Sequence, residues 1–188
     1  MPVRIRIVAR AASLFVAALA LSGCLGGARS IGDGIDDTMI GTAVRQGMLG
    51  DRRFDYGDVD VTVYEARVLL TGTMRTDEGR REMAKLAWKR SGVAEVLNEI
   101  EVAERTPVGQ GARDAAIHQS IVASLTTDGG VAGKNIKLAV SGGVVHMIGI
   151  VRDDQELERA VYRARTIRGV EKVVSHLQFA DDPTRKLR

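Results

Sequence analysis

The chain has 188 residues, which is the length of one large or two small domains, and a formal net charge of +3 from 27 basic and 24 acidic residues. Only 4% of the residues are aromatic, which argues against the stacking platforms that bind single-stranded nucleic acid, so no nucleic-acid partner is expected. The single cysteine, Cys24, excludes an internal disulfide.

Residues 1–23 have the pattern of a lipoprotein signal peptide. Three arginines precede the apolar run 11–22, which is too short to span a bilayer as a helix. The run ends in Leu21-Ser22-Gly23-Cys24, which resembles the bacterial lipobox. The resemblance implies that Cys24 becomes the first mature residue, bearing a diacylglyceryl thioether and an acylated amine, and anchors the protein to a membrane. An ordinary cleavage site at Ala18-Leu19-Ala20, leaving Cys24 as a free thiol, is the alternative.

Residue 25 favours the outer membrane, with the protein on its periplasmic side. In Gram-negative lipoproteins, Asp after the cysteine is associated with retention in the inner membrane, and this chain has Leu25. The glycine-rich segment 24–35 is predicted to be a flexible tether.

Charge is divided unevenly along the mature chain. Removing the signal leaves 24 basic and 24 acidic residues. Residues 36–104 carry 10 basic and 14 acidic residues, whereas residues 105–188 carry 13 and 9. The basic second half favours an anionic partner, and an ordinary salt-bridged surface is the alternative.

An internal repeat organises the mature chain, because residues 36–102 align with 113–179 at a constant offset of 77 without a gap. Each copy has the same predicted elements in the order α-β-β-α-β. In the first copy they are a helix over 37–49, strands over 59–63 and 68–73, a helix over 76–91 and a strand over 96–102. In the second copy the helices cover 114–126 and 153–168, and the strands begin near 136, 144 and 173.

The predicted fold is α+β, with two tandem domains. The hairpin turns Glu65-Ala66 and Gly142-Gly143 make the first two strands of each copy antiparallel, and the helical crossover makes the second and third parallel. Each copy is thus a three-stranded mixed sheet with two helices on one face, and two such small units are expected to lean on each other. The predicted boundaries are domains at 36–103 and 113–180, a linker at 104–112 and a polar tail at 181–188.

Four glycines are predicted to be structural. Gly72 and Gly149 lie on the core-facing side of the second strand, where a missing side chain is expected to let a helix approach. Gly92 and Gly169 are expected at the left-handed cap position after the second helix.

The motifs resemble those of the BON domain. The first copy has Val68-Leu69-Leu70-Thr71-Gly72 and Gly92-Val93, and the second has Val145-His146-Met147-Ile148-Gly149 and Gly169-Val170. Behind a lipobox, this duplication is similar to dual-BON outer-membrane lipoproteins. The resemblance implies a non-enzymatic protein of envelope integrity and stress response, which binds anionic phospholipid through the first helix of its second domain.

On this chain that helix is 114–126. Its core stripe is Ile117, Ile121 and Leu125. The expected lipid-binding residues lie off that stripe and in the segment that follows, where a glycine-rich loop is expected to let Val131 enter the headgroups and two lysines to supply charge. They are Ala116, Gln119, Val122, Ala123, Thr126, Val131, Lys134 and Lys137. The helix carries no lysine or arginine, so an adaptor that binds another envelope protein is the alternative.

The sequence gives little support for catalysis, a cofactor or a small-molecule substrate. His118, His146 and His176 are not at metal-ligand spacing. The last two are expected to approach each other on adjacent strands, without a nearby cysteine or carboxylate to complete a metal site. They are expected to be solvated or buried against the first copy. Asp36-Asp37 and Asp153-Asp154 are expected to cap helices.

Overall fold

The computed structural model of the protein describes residues 31–104, 107–183 and 185. The signal peptide, Cys24 and most of the predicted tether lie outside these residues. Domain 1 comprises α1 (Ile31–Gly50), β1 (Val59–Tyr64), β2 (Arg67–Met74), α2 (Asp77–Trp88), β3 (Glu95–Asn98) and β4 (Glu101–Val102). Domain 2 comprises α3 (Gln110–Thr127), a 3-10 turn (Gly133–Asn135), β5 (Ile136–Ser141), β6 (Val144–Val151), α4 (Asp154–Arg165) and β7 (Lys172–Phe179).

Each domain has the predicted mixed sheet. β1 pairs antiparallel with β2, and β2 pairs parallel with β3 and β4. In domain 2, β6 pairs antiparallel with β5 and parallel with β7. The third strand of domain 1 is interrupted after Asn98, whose side chain donates to the carbonyl of Arg80 and accepts from the N–H of Ile100. The predicted fold class is confirmed.

Both helices of each domain cover the same face of its sheet. In domain 1 the core beneath them contains Val44, Val68 and Met83, each fully buried. In domain 2 the equivalent core is built on Ile121, Val145 and Met147. These residues occupy the helix and strand positions that the apolar periodicity predicts.

The two sheets pack against each other through their opposite faces. Tyr64 and Leu69 of domain 1 form one apolar cluster with Ala139, Ile148 and Ile150 of domain 2. The result is four layers in the order helices, sheet, sheet, helices. The expectation that the two copies lean on each other is confirmed.

Polar contacts surround this interface. Lys137 donates from Nζ to the carbonyl of Val63, and Arg67 donates to the carbonyl of His176 at 2.9 Å. Arg185 makes two bonds of 2.8 Å to the Glu65 carboxylate, and both side chains are more than 90% buried. Residue 185 is therefore an interface residue, although 181–188 was predicted to be a polar tail.

Asp37 does not cap a helix, contrary to prediction. α1 begins at Ile31, so Asp37 lies within the helix, where it is 3% exposed. Its carboxylate accepts from the N–H groups of Glu65 and Ala66, the two residues of the β1–β2 turn that have positive φ. The prediction for Asp153 was right, since its side chain accepts from the N–H of Glu156 at the start of α4.

The reason given for Gly72 and Gly149 is also wrong. A Cβ on Gly72 would lie 1.9 Å from the carbonyl oxygen of Asp58, and one on Gly149 would lie 2.1 Å from that of Asn135. The close neighbour is thus the backbone that enters the partner strand of the hairpin, not a helix. Both glycines also have positive φ, +104° and +152°, so a side chain is excluded twice over.

Gly92 and Gly169 have the predicted positive φ, +91° and +94°, but they do not cap a helix. α2 ends at Trp88 and α4 at Arg165, earlier than predicted. Each glycine is the third residue of a turn closed by a backbone hydrogen bond, from Val93 to Arg90 or from Val170 to Ile167. A positive φ at that position favours glycine.

The first helix of each domain is longer than predicted. α1 includes residues 31–35 of the predicted tether, and α3 includes residues 110–112 of the predicted linker. Among the residues described, no helix combines the length and apolarity needed to cross a bilayer.

Candidate functional site

Apart from Arg113 near its N-terminal end, the exposed side of α3 is uncharged and only weakly apolar. Ile117, Ile121 and Leu125 are buried against the sheet. The other side of the helix is exposed, with Val122 its only large apolar residue, at 42% exposure. The five predicted lipid-binding residues of α3 all lie on this exposed side: Ala116, Gln119, Val122, Ala123 and Thr126.

Hydroxyl groups on this face are already hydrogen-bonded within the helix. Ser120, Thr126 and Thr127 donate to the carbonyls of the residues four positions earlier, at 2.7–3.0 Å. A hydroxyl with an internal partner loses less on leaving water than a free one. The face can therefore approach an apolar surface at a lower cost than its sequence suggests.

The segment after α3 is tightly held, contrary to the expectation of a flexible loop. Asp128, 6% exposed, accepts from the N–H of Gly130 and from Arg163. Glu156, 1% exposed, accepts from the N–H of Ala132 at 2.6 Å. The expectation that Val131 enters the headgroups is wrong, because Val131 is 8% exposed and belongs to the domain 2 core.

Both carboxylates have pKa values below their ordinary range. For Asp128 the main cause is the hydrogen bond from the backbone of Gly130, followed by that from Arg163. Burial by itself raises the pKa of Glu156, but the Ala132 N–H and the Arg152 contacts outweigh it and lower the pKa overall. The two residues stay ionised at neutral pH and fix the segment from both ends.

The two predicted lysines have different surroundings. Lys137 is half-buried and bonded across the domain interface, so it is not available to a bilayer. Lys134 is exposed in the 3-10 turn, which packs beside the end of α3.

Two further exposed basic residues lie at the end of α4 and in the turn that follows it. Arg165 and Arg168 are exposed, and within the described residues neither has a salt bridge. The turn that contains Arg168 continues to Gly169, whose Cβ position would lie 3.2 Å from the Ile117 side chain. The uncharged face is thus flanked by Lys134 near its C-terminal end and by Arg168 near its N-terminal half. Sequence reasoning missed both arginines, because Arg165 ends α4 and Arg168 lies in the turn after it, and only packing brings this turn beside α3.

Acidic residues lie beside α3 on the side towards domain 1, where Gln119 also lines the cleft. A cleft of about 520 Å³ between the domains is lined by Asp58, Asp60 and Glu101 of domain 1 and by Asp114 and His118 of α3. Asp114 is buried and accepts from the hairpin N–H groups of Gly142 and Gly143. An anionic ligand is therefore disfavoured on this side of the helix.

Two exposed aromatic side chains also went unnoticed in the sequence. Trp88, the only tryptophan, is 53% exposed at the end of α2 in domain 1. Tyr162 is 64% exposed on α4 in domain 2. Tryptophan and tyrosine are enriched at interfaces, where the ring contacts an apolar partner and the polar end of the side chain stays in contact with water.

His146 and His176 lie close together on adjacent strands, as the sequence predicts. His146 is 4% exposed and lies against domain 1, and Nε2 of His176 is 3.1 Å from Oε1 of Glu99. The expectation that no carboxylate lies near these two histidines is wrong, because Glu99 comes from the other domain. His118 lies apart, on α3.

A family model described as the BON domain matches residues 36–104 and 113–181. The chain belongs to the BON family. Its two BON domains are domains 1 and 2 above, and the outer layer of BON domain 2, made by α3 and α4, carries the candidate site.

Three relatives align with most of the chain. The chain is 32% identical over 132 residues to an uncharacterised protein of Anaplasma centrale, covering 70% of this chain and 87% of the relative. It is 30% identical to a 21 kDa hemolysin of Actinobacillus pleuropneumoniae, and the match covers 80% of this chain and 78% of the relative. It is 28% identical to the outer membrane lipoprotein DolP of Haemophilus influenzae, and the match covers 81% of this chain and 79% of the relative.

Proposed function

We propose that this protein is a lipoprotein of the outer membrane, anchored through Cys24 on the periplasmic side, and that BON domain 2 binds anionic phospholipid. Its role is then to support the integrity of the outer membrane without catalysis. The observation that carries the proposal is the exposed, uncharged face of α3 with exposed basic residues at both ends. The similarity to a relative named as an outer membrane lipoprotein supports the location.

The anchor and the binding face have complementary roles. The lipid at Cys24 holds the chain at the membrane. This attachment raises the effective concentration of membrane lipid around BON domain 2. The α3 face then needs only modest affinity of its own. Val122 supplies a small apolar contact, and the hydroxyls beside it keep their internal partners.

Charge orients BON domain 2 towards the membrane. Lys134, Arg165 and Arg168 are exposed beside the α3–α4 layer, and a basic residue near an anionic surface contributes on the order of 1 kcal/mol. Arg159 and Arg163 are engaged by Asp128, so they contribute less. The net negative charge of BON domain 1 favours the same orientation.

A protein-binding adaptor is the second candidate, and Trp88 favours it. Trp88 is exposed at the end of α2, and tryptophan is one of the residue types enriched in binding hot spots. In that case the lipid at Cys24 is the only membrane contact, and the partner binds BON domain 1.

Cosedimentation with vesicles separates the two candidates. The full chain with Cys24→Ala, which lacks the lipid, is expected to sediment with vesicles that contain phosphatidylglycerol and not with neutral ones. Lys134→Glu with Arg168→Glu should weaken this binding at least tenfold, and added salt should have the same effect. Arg52→Glu with Lys89→Glu, an equal change of charge at two exposed residues of BON domain 1, is the matched control and should have a much smaller effect. Absence of binding to anionic vesicles would favour the adaptor.

A further inference from the structure

A polar cluster interrupts the apolar interface between the two sheets. It joins His146 of β6 and His176 of β7 to Glu99, which lies between β3 and β4 in BON domain 1. One nitrogen or oxygen atom from each of the three side chains lies within 4.8 Å of the other two. The strand pairing explains the arrangement, because His176 pairs with Ile148 and is therefore a diagonal neighbour of His146.

The two imidazoles lack good hydrogen-bond partners. Nδ1 of His146 is buried and has no partner within the described part of the chain. Nε2 of His176 approaches Glu99 at 3.1 Å, but it does so without hydrogen-bond geometry. Buried polar atoms without partners are rare in folded proteins and require an explanation, such as an ion bound between them.

We propose that Glu99, His146 and His176 form a Zn²⁺ site that links the two BON domains. Two imidazoles and one carboxylate, with water in the fourth position, are a recurrent ligand set for zinc. Zinc bonds of about 2.0–2.2 Å place neighbouring ligand atoms of a tetrahedron about 3.4 Å apart, so the side chains have to close on the ion by roughly an ångström. Imidazole nitrogen selects against Mg²⁺ and Ca²⁺, which take oxygen ligands.

The ion has a mechanical consequence. Glu99 belongs to BON domain 1 and both histidines to BON domain 2, so one ion connects the sheets across their interface. An ion that binds only the assembled pair of domains stabilises that assembly by mass action. Zinc is therefore expected to raise the thermal unfolding midpoint and to slow hydrogen exchange at the facing strands.

The test uses the full chain with Cys24→Ala, which has no thiol to compete for the metal, stripped with a chelator and titrated with Zn²⁺ near neutral pH. One equivalent is expected to bind. Cobalt in place of zinc should give the intense visible absorption of a four-coordinate site. Glu99→Gln and His176→Gln should each weaken zinc binding at least tenfold and remove the shift in unfolding temperature. His118→Gln, which changes the histidine outside the cluster, should do neither.

Two outcomes would overturn the proposal. One is failure of the folded full chain to bind an equivalent of zinc. The other is unchanged affinity in Glu99→Gln and His176→Gln, whatever the affinity of His118→Gln. The folding of each variant is checked by its far-ultraviolet circular dichroism before titration. Because Glu99 is partly exposed and Gln has nearly the same volume, Glu99→Gln remains decisive even if a histidine variant does not fold.

Discussion

Asp114 in α3 holds Gly143 at the tip of the β5–β6 hairpin, because its Oδ1 accepts the backbone N–H of Gly143 at 3.0 Å. The same contact recurs 77 residues earlier, where Asp37 accepts the N–H of Ala66 at 2.9 Å. The repeat thus preserves a buried carboxylate that ties its first helix to its hairpin. In domain 1 the carboxylate holds a turn whose two residues, Glu65 and Ala66, have positive φ without being glycine.

Removing this carboxylate should destabilise BON domain 2. Asp114→Ala leaves the N–H groups of Gly142 and Gly143 without their acceptor, and hydrogen bonds to a charged group contribute about 1.5–3 kcal/mol each. We expect the free energy of unfolding in urea to fall by about 2 kcal/mol or more. Asp154→Ala, at an exposed position in the first turn of α4, is the control. An equal loss in both variants would contradict the role given to Asp114.

Arg185 should stabilise the domain interface. Arg185→Ala leaves the carboxylate of Glu65 buried without its partner, a change that costs about 3 kcal/mol or more. The thermal unfolding midpoint should fall, and the double variant Glu65→Gln with Arg185→Gln should recover part of the loss. Arg81→Ala removes an exposed pair with Asp77 and should leave the midpoint nearly unchanged. No loss in Arg185→Ala would show that this contact does not hold the domains together.

Stability should fall with decreasing pH in two separate ranges. The pKa of His146 is lowered from its ordinary value of 6.5, so the unfolded chain binds the proton more readily. Stability from this group is complete above about pH 6.5 and is lost as pH falls towards the folded pKa. The loss is at most about 1.4 kcal/mol per pH unit.

The carboxylates define the second range. The pKa values of Glu156 and Asp128 are lowered in the folded state from their ordinary values of 4.5 and 3.8. These groups therefore stabilise the fold at pH values above their ordinary pKa values, and the stabilisation is lost as pH falls through the pKa values of the folded state. Urea unfolding across pH, with a chelator present, should show both ranges. His146→Gln should remove only the upper range, whereas His118→Gln should retain it. An unchanged upper range in His146→Gln would contradict the assignment.

A glycine substitution tests the backbone contact in β6. Gly149→Ala introduces a Cβ that would lie 2.1 Å from the carbonyl oxygen of Asn135, at a φ that favours glycine. Unfolding should become easier by about 1–3 kcal/mol or more. Gly142→Asn is the control, because its φ is +60° with open space around the Cβ position, and asparagine tolerates that conformation. Equal stability of Gly149→Ala and the natural protein would contradict the observed close approach.

The sequence predicts the topology well because a helix and a half-buried strand leave different periods in the chain. Val59, Val61 and Val63 alternate with polar residues in β1, and the 77-residue offset transfers each prediction to the second copy. The same period predicts that His146 and His176 lie on one side of their sheet. The period carries no information on how one sheet packs on the other. The positions of Glu99 and Arg185 at the domain interface could therefore not be predicted.

Most errors at individual residues come from long-range contacts. Val131 looks exposed because it follows a glycine-rich segment, but the core of domain 2 covers it. Lys137 looks exposed because it lies in an alternating segment, but the domain interface covers it. The Asp37 prediction failed because acidic residues near a helix start usually cap it, whereas here the helix begins earlier. The match of Asp37 with Asp114 in the repeat was the one available sign that this aspartate has another role.

The most direct test of phospholipid binding uses tryptophan fluorescence, since Trp88 is the only tryptophan in the chain and lies in BON domain 1. All measurements use the Cys24→Ala chain. A second protein carries Trp88→Phe and Val122→Trp, which moves the single tryptophan to the proposed binding face. On addition of vesicles containing phosphatidylglycerol, the emission of this second protein should shift to the blue, and neutral vesicles should leave it unchanged. Trp88 in the first protein should show little change with either. A blue shift of Trp88 in the first protein, with no shift in the second, would contradict binding through BON domain 2.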